Sequence, residues 1–378
     1  MKRFNIETAI YFGEGSLEKL RELDNKKILI VCDKFIGTSD ILKKVLDKLE
    51  KCEVLVFDEI VSDPTIKIVA KGVQLLKREK FDLIIALGGG SSIDGAKAIR
   101  EYYKRIDENV EIDFYAIPTT SGTGSEVTEY SVITNEKESL KYALTNEDLL
   151  PTIAILDPEL VKSVPKSITA DTGMDVLTHA IEAYVSKEAS DFTDALAEKA
   201  FELVVKNLEK VYENGNDIYA REKMHNASCL AGIAFNAAGL GLTHSLAHMI
   251  GGRFHIPHGK INAIILPYVI KFNSDIDKKS YLDSENEILK RYQKLGKIAG
   301  LNGINPVIGT SNLINYIQKL QKSVGIPKNL KELKIDGSSL LQDVEVVYEI
   351  VMKDICTKTN PKEIKKEDIK TLLKDIVG

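Results

Sequence analysis

Histidine is scarce in this 378-residue chain, and it is clustered. The stretch THSLAHMIGGRFHIPHGK, residues 243–260, holds His244, His248, His255 and His258, four of the six in the whole sequence. His179 and His225 precede it by less than seventy residues, and the first 178 and last 120 positions have none. Imidazole is the commonest metal ligand and the side chain best suited to proton transfer near neutral pH. Four together, following a separate Asp-x-x-x-His, point to metal chemistry rather than to chance.

The segment TGMDVLTHAIEAY places Asp175 and His179 four apart on a helical pattern, hence on one face. His244 and His248 repeat that spacing on a second helix, which Gly251-Gly252 is expected to end. His258 follows Pro257 and is expected to open the next helix. One Asp and three His can hold a divalent first-row metal with an exchangeable position left for substrate. The spacing leaves open which three of His179, His244, His248 and His258 bind. His225 reads as a satisfied helix histidine and His255 as a group supporting the ligands.

A second kind of chemistry is written in two glycine loops. FDLIIALGGGSSIDGAKAI sets Gly88, Gly89, Gly90 and Ser91 after a strand and before a helix. Glycines let backbone approach a ligand closely, and a helix N-terminus offers free N–H groups and a positive dipole end, which suits a pyrophosphate. YAIPTTSGTGSEVT again follows a strand, with Thr119, Thr120, Ser121, Gly122 and Thr123 in a row. In open parallel sheets ligands sit outside the strands' carboxyl ends, where both loops fall. Asp33 ends the strand ILIVCD; it reads either as a helix N-cap or as an acceptor for an adenosine ribose that would repel a 2′-phosphate and favour NAD.

The elements that must position these residues come in two styles. Residues 26–33, 53–58, 81–87, 112–117 and 152–156 are near-continuous apolar, β-branched runs, as expected of parallel strands covered on both faces. Helical patterns such as 64–79 lie between them, so this part reads as an α/β parallel sheet. Beyond LDPELVKSVPKS (156–167) nearly every segment carries a helical period, including 193–213, 220–239 and 343–355. The expected domains are 1–165, α/β and dinucleotide-binding, and 166–378, helical and carrying metal and substrate. The net charge of −5 argues against nucleic acid or anionic lipid as partner. No apolar run approaches the ~18 residues of a membrane span, and the four scattered cysteines form neither a disulfide framework nor a thiolate zinc site. A cytoplasmic protein is expected.

At GGGSSIDGAKAI, PTTSGTGSEVT, ILDPELV, TGMDVLTHAIEAY and GLTHSLAHMIGGRFHIPHGKINAIILP the chain resembles the iron-dependent (group III) alcohol dehydrogenases over essentially its whole length. CDKFIGTS, DPTI, ASDFTDALAEKA and KMHNAS carry a narrower likeness to the 1-propanol dehydrogenases of propanediol-utilisation microcompartments. The resemblance implies a Rossmann-like parallel-sheet domain followed by an all-helical domain, the fold shared with dehydroquinate synthase. It implies that Asp175, His179, His244 and His258 bind Fe²⁺, with Zn²⁺ as the other candidate, and that His248 is a non-ligand beside the substrate. It also implies that Asp33, the 88–91 loop, Asp94, the 119–123 loop and Lys141 line an NAD site. The chemistry implied is reversible hydride transfer between NAD(H) and short-chain aldehydes or primary alcohols, propanal and 1-propanol foremost, in a homodimer with cytoplasmic or microcompartment location and shell or enzyme partners there. A zinc glycerol-type polyol dehydrogenase and a dehydroquinate-synthase-like lyase are the rival readings, and LAHMIGGRFHIPHG speaks against both.

Overall fold

The computed structural model describes residues 3–107, 111–136, 140–278 and 285–378, with the side chains of Leu140 and Lys141 outside the description. The chain separates into two compact units, Met1–Ser163 and Val164–Gly378.

The first unit holds a six-stranded sheet in which every pairing is parallel. Its strands are β1 (Ala9–Phe12), β2 (Lys27–Asp33), β3 (Glu53–Ile60), β4 (Leu83–Gly88), β5 (Asp113–Pro118) and β8 (Ile153–Leu156), in the order β1-β8-β5-β4-β2-β3. Between them lie the helices α1 (Lys34–Gly37), α2 (Asp40–Leu46), α3 (Ile66–Arg78) and α4 (Gly90–Ile106). The apolar runs are continuous because both faces are covered. Along β2, Leu29 and Val31 enter the core with α3 and α4, while Ile28, Ile30 and Cys32 enter a second core with α1 and α2. Three strands had no clear signature in the sequence. β1 is a short edge strand, and β6 (Tyr130–Asn135) with β7 (Leu140–Thr145) forms a separate antiparallel hairpin. Buried Lys97 of α4 ties that hairpin down, donating to the carbonyls of Thr128 and Tyr130 at 2.6 and 2.8 Å.

Strand order decides where this sheet can take a ligand. From β2 the chain moves outward to β3, then returns past β2 to lay down β4, β5 and β8 on the other side. The order reverses between β2 and β4, and a crevice opens outside the carboxyl ends of strands at such a switch. Asp33 and Gly88 are the last residues of those two strands.

The second unit is helical among its described residues: α5 (Lys166–Val185), α6 (Asp191–Glu213), α7 (Ile218–Ala238), α8 (Leu242–Phe254), α9 (His258–Ser274), α10 (Glu287–Ile298), α11 (Pro306–Ser323), α12 (Ser338–Gln342), α13 (Val344–Lys353) and α14 (Lys366–Val377). α5 is buried on every side from Gly173 to Val185, as a helix apolar all round must be. α8 and α9 pack with α13 and α14 around Leu246, Ile250, Ile265, Val347 and Leu373. α8 runs through Gly251 and Gly252 and ends at His255, which is left-handed at φ 53°. The glycines were expected to stop it; instead Gly251 is buried, and its missing side chain lets Ile261 of α9 approach. α9 opens at His258 after Pro257, as expected. No single described helix is long and apolar enough to cross a membrane.

Candidate metal centre and glycine-loop cradle

Three helices of the second unit converge on one point. α5 brings Asp175 and His179, α8 brings His244, and the first residue of α9 is His258. One ligand-type atom from each of the four lies within 4.8 Å of all the others. The His179 and His244 rings stack with centroids 4.7 Å apart, and His244 and His258 stand at 5.4 Å. Asp175 Oδ1 is 3.8 Å from His244 Nε2 and 3.9 Å from His258 Nε2.

Close approach of backbone makes this possible. A Cβ on Gly259 would overlap the carbonyl oxygen of Asp171, so α9 meets α5 there only because residue 259 has no side chain. That contact delivers the neighbouring His258 to Asp175.

Burial governs the charge state of the cluster. It draws the pKa of His179 down to about 3 and that of His244 well below the ordinary histidine value, and it pushes the Asp175 carboxyl up. Neutral imidazole is the form that binds metal. His179 Nδ1 and His244 Nε2 are buried with no hydrogen-bond partner; for His244 Nε2, which lies 3.8 Å from Asp175 Oδ1, a cation bound in the cluster would relieve that cost. The nitrogen-rich donor set with one carboxylate fits a divalent first-row ion.

Three supporting residues escaped the sequence reading. Glu182 lies one turn beyond His179 on α5; its Oε2 accepts from His244 Nδ1 at 2.6 Å and from the Gly241 N–H at 3.0 Å. Its Oε1 accepts from the Thr243 N–H at 2.7 Å. Asn262 donates from Nδ2 to Asp175 Oδ1 at 2.8 Å, and the same nitrogen is 3.0 Å from His258 Nε2. A glutamate inside the apolar run THAIEAY was a readable signal, since so buried a charge needs partners. Asp354, more than a hundred residues from any candidate ligand except His258, had no signal; it accepts from His248 Nδ1 at 2.8 Å.

His248 stands apart from the four. Its ring stacks on His258 at 5.4 Å and meets His244 edge-on at 6.1 Å, but it belongs to a different group, with Asp354 and Cys356. His255, expected to support the ligands, is exposed at the end of α8, because the left-handed turn there sends the chain on toward α9. His225 is buried in α7.

In the first unit both loops end neighbouring strands, with Gly88 of β4 opposite Pro118 of β5. A Cβ on Gly90 would stand 2.6 Å from Thr123 Cγ2, so the loop of Gly88, Gly89, Gly90 and Ser91 and the loop of Thr119, Thr120, Ser121, Gly122 and Thr123 touch through a glycine. No side chain caps the start of α4. Asp33 is the N-cap of α1: its Oδ1 accepts from the Ile36 N–H at 2.9 Å, while its Oδ2 lies 3.9 Å from where a Cβ would stand on Gly88. Both readings of Asp33 thus find an oxygen. Asp94 uses both carboxylate oxygens inside the protein, accepting from Ser125 Oγ at 2.6 Å and the Val132 N–H at 3.1 Å. It braces the second loop and the hairpin. The backbone of Lys141 pairs opposite Thr134 in that hairpin, and its side chain falls outside the described residues.

Comparison with known proteins agrees with both halves. Residues 7–158 match the family model of the iron-containing alcohol dehydrogenases, and residues 169–377 match that of the C-terminal part of the same family. The chain is 42% identical to 1-propanol dehydrogenase PduQ of Citrobacter freundii, over 100% of both chains. It is 41% identical to the NADPH-dependent butanol dehydrogenase of Clostridium saccharobutylicum, over 98% of this chain and 97% of that one. Among solved structures, the sulfoacetaldehyde reductase of Bifidobacterium kashiwanohense, in complex with NAD+, superposes with a TM-score of 0.85 at 27% identity, covering 100% and 98% of the two chains. The chain belongs to the iron-containing alcohol dehydrogenase family and is an oxidoreductase of the alcohol dehydrogenase type.

Proposed function

We propose that the protein interconverts short unbranched aldehydes and primary alcohols, propanal and 1-propanol foremost, using NAD(H) and one divalent metal. Asp175, His179, His244 and His258 would hold the metal, iron first and zinc as the alternative. The observation that carries this is the convergence of their ligand atoms within 4.8 Å, with buried imidazole nitrogens that have no other partner. The unit Val164–Gly378 is then the metal and substrate domain, and Met1–Ser163 the dinucleotide domain.

When bound, the metal supplies Lewis acidity to a carbonyl oxygen and the nicotinamide supplies the hydride. The chain does the rest. Glu182 fixes the proton of His244 on Nδ1 and leaves Nε2 its lone pair. His248, half-exposed beside the ligands, holds the proton that the reduced oxygen must gain. Gly88 to Ser91 and Thr119 to Thr123 receive the pyrophosphate at the strand ends and the start of α4. Asp33 Oδ2, beside Gly88, accepts from the ribose and disfavours a 2′-phosphate. Substrate length rests on kinship with the 1-propanol and butanol dehydrogenases. The same kinship extends the proposal to a cytoplasmic or microcompartment-housed homodimer.

Aldehyde-dependent loss of NADH absorbance, with and without a chelator, tests the reading on protein purified without oxygen. Propanal should be reduced fastest in a panel of two to six carbons, and chelation should abolish turnover. Undiminished turnover after full chelation, or glycerol oxidised faster than any short primary alcohol, would overturn it. Metal content decides the ligand set: His244→Ala and His258→Ala should fold yet hold little metal, while His248→Ala should keep most of it and lose turnover. If His248→Ala emptied the site and His258→Ala did not, the set must be redrawn.

A further inference from the structure

We propose that Asp354 is the positioning residue of His248, holding the imidazole with its proton on Nδ1 so that Nε2 is the nitrogen offered to the reacting oxygen. The proposal rests on the role given above to His248. It begins from a contact between distant parts of the chain: the His248 ring lies between the Asp354 carboxylate on one edge and the rings of His244 and His258.

The carboxylate is fixed before it meets the ring. Asp354 caps a 3₁₀ turn over Ile355–Thr359, where its Oδ1 accepts from the Cys356 N–H at 2.8 Å. The same oxygen is 3.4 Å from Ser245 Oγ, which is 2.7 Å from Thr357 Oγ1. The second oxygen, Oδ2, is left for His248. An ionised carboxylate only accepts hydrogen bonds, so the nitrogen facing it must carry the hydrogen. The opposite nitrogen then has the lone pair in the neutral ring and donates when the ring is charged. Burial raises the Asp354 carboxyl, but the hydrogen bond and charge of His248 with the Cys356 N–H outweigh it and bring its pKa to about 2. It is therefore ionised wherever the enzyme works.

A rival use of the same atoms is a second metal bound by His248, Asp354 and Cys356, whose ligand-type atoms also lie within 4.8 Å of one another. The geometry disfavours it. Both Asp354 oxygens are already engaged, and burial pushes the Cys356 thiol well above its ordinary value, away from the thiolate a metal needs.

The test uses the zinc-loaded full chain with ¹⁵N-labelled histidine. Only six imidazoles contribute signals, and His248→Gln identifies the one in question. In its neutral form His248 should show protonated Nδ1 and bare Nε2. Asp354→Asn should lose that single tautomer and lower turnover by about 10-fold or more, with zinc content and the KM for propanal nearly unchanged. Asp354→Glu should restore the tautomer and part of the rate. A wild-type tautomer and rate in Asp354→Asn would overturn the proposal, as would a second equivalent of zinc that disappears in Asp354→Asn and Cys356→Ser. If instead His248→Gln keeps full turnover, the proton role of His248 fails, and the tautomer measurement still decides whether Asp354 sets the ring.

Discussion

Glu182 uses its two oxygens on three donors, two of them the backbone N–H groups of Gly241 and Thr243 just before α8 and in its first turn. The third, His244 Nδ1, is the back of a candidate ligand. Removing the charge while keeping the shape should therefore loosen the metal more than the fold. Glu182→Gln is expected to weaken metal binding about 10- to 100-fold, measured by competition with a chelator, with a melting temperature close to wild type. An unchanged affinity would mean that the carboxylate serves α8 alone. Asp33 carries a different prediction, because one of its oxygens faces Gly88. NADH should be strongly preferred to NADPH, and Asp33→Gly should narrow the gap by removing repulsion of the 2′-phosphate. Losing its N-cap bond to Ile36 adds only a small loss of stability, roughly a few tenths of a kcal/mol, because glycine is itself tolerated at an N-cap. Equal activity of the wild type with both cofactors would remove Asp33 from the cofactor site; the NADPH-dependent relative makes this comparison a real one.

Gly259 shows how a helix start can be dictated from outside the helix. α9 begins against the Asp171 carbonyl, and any Cβ there must push the two backbones apart. Gly259→Ala should move His258 away from Asp175 and lower metal affinity about tenfold or more, at a cost of about 1–3 kcal/mol in stability. Metal titration alongside thermal melting checks it, and wild-type affinity would show that α9 is free to shift. The same contact explains part of what the sequence could reveal. The i,i+4 pairs of α5 and α8 and the Pro257-His258 start of α9 are periodic or local features, and they were legible. Spacing did not choose His258 over His248 as the fourth member of the cluster, since that depends on how three helices meet; the family resemblance made that choice. Strands covered on both faces were visible as apolar runs, whereas β1 is a short, largely exposed edge strand and β6 and β7 pair outside the main sheet. Glycines mislead for a related reason: Gly251-Gly252 looked like a stop, but α8 runs through both, and Gly251 makes room for Ile261 of α9. Asp354 lay beyond any local rule.

If the two units take the two ligands proposed for them, hydrogen exchange should show two separable responses. Chelation should speed amide exchange in α5, α8 and α9 and leave β2, β4 and β5 unchanged, while NADH should slow exchange at the ends of β4 and β5 and the start of α4. Chelator-induced opening confined to the sheet would contradict the placement of the metal. The walls of the metal centre are also unequal. Asp175, His179 and His244 are 3%, 4% and 1% exposed, yet the His258 side chain is 43% exposed, and the ring stacked on it, His248, is 40% exposed. If the four residues hold an ion as proposed, it should arrive and depart past those two imidazoles, the exposed members of the cluster's surroundings. How tightly the ion is held and how long it stays become different properties, the first set in the interior and the second at this doorway. An aldehyde or alcohol bound beside His258 and His248, as proposed, would close the doorway. A working enzyme should thus keep its metal longer than an idle one, seen as slower inactivation by chelator when substrate is present.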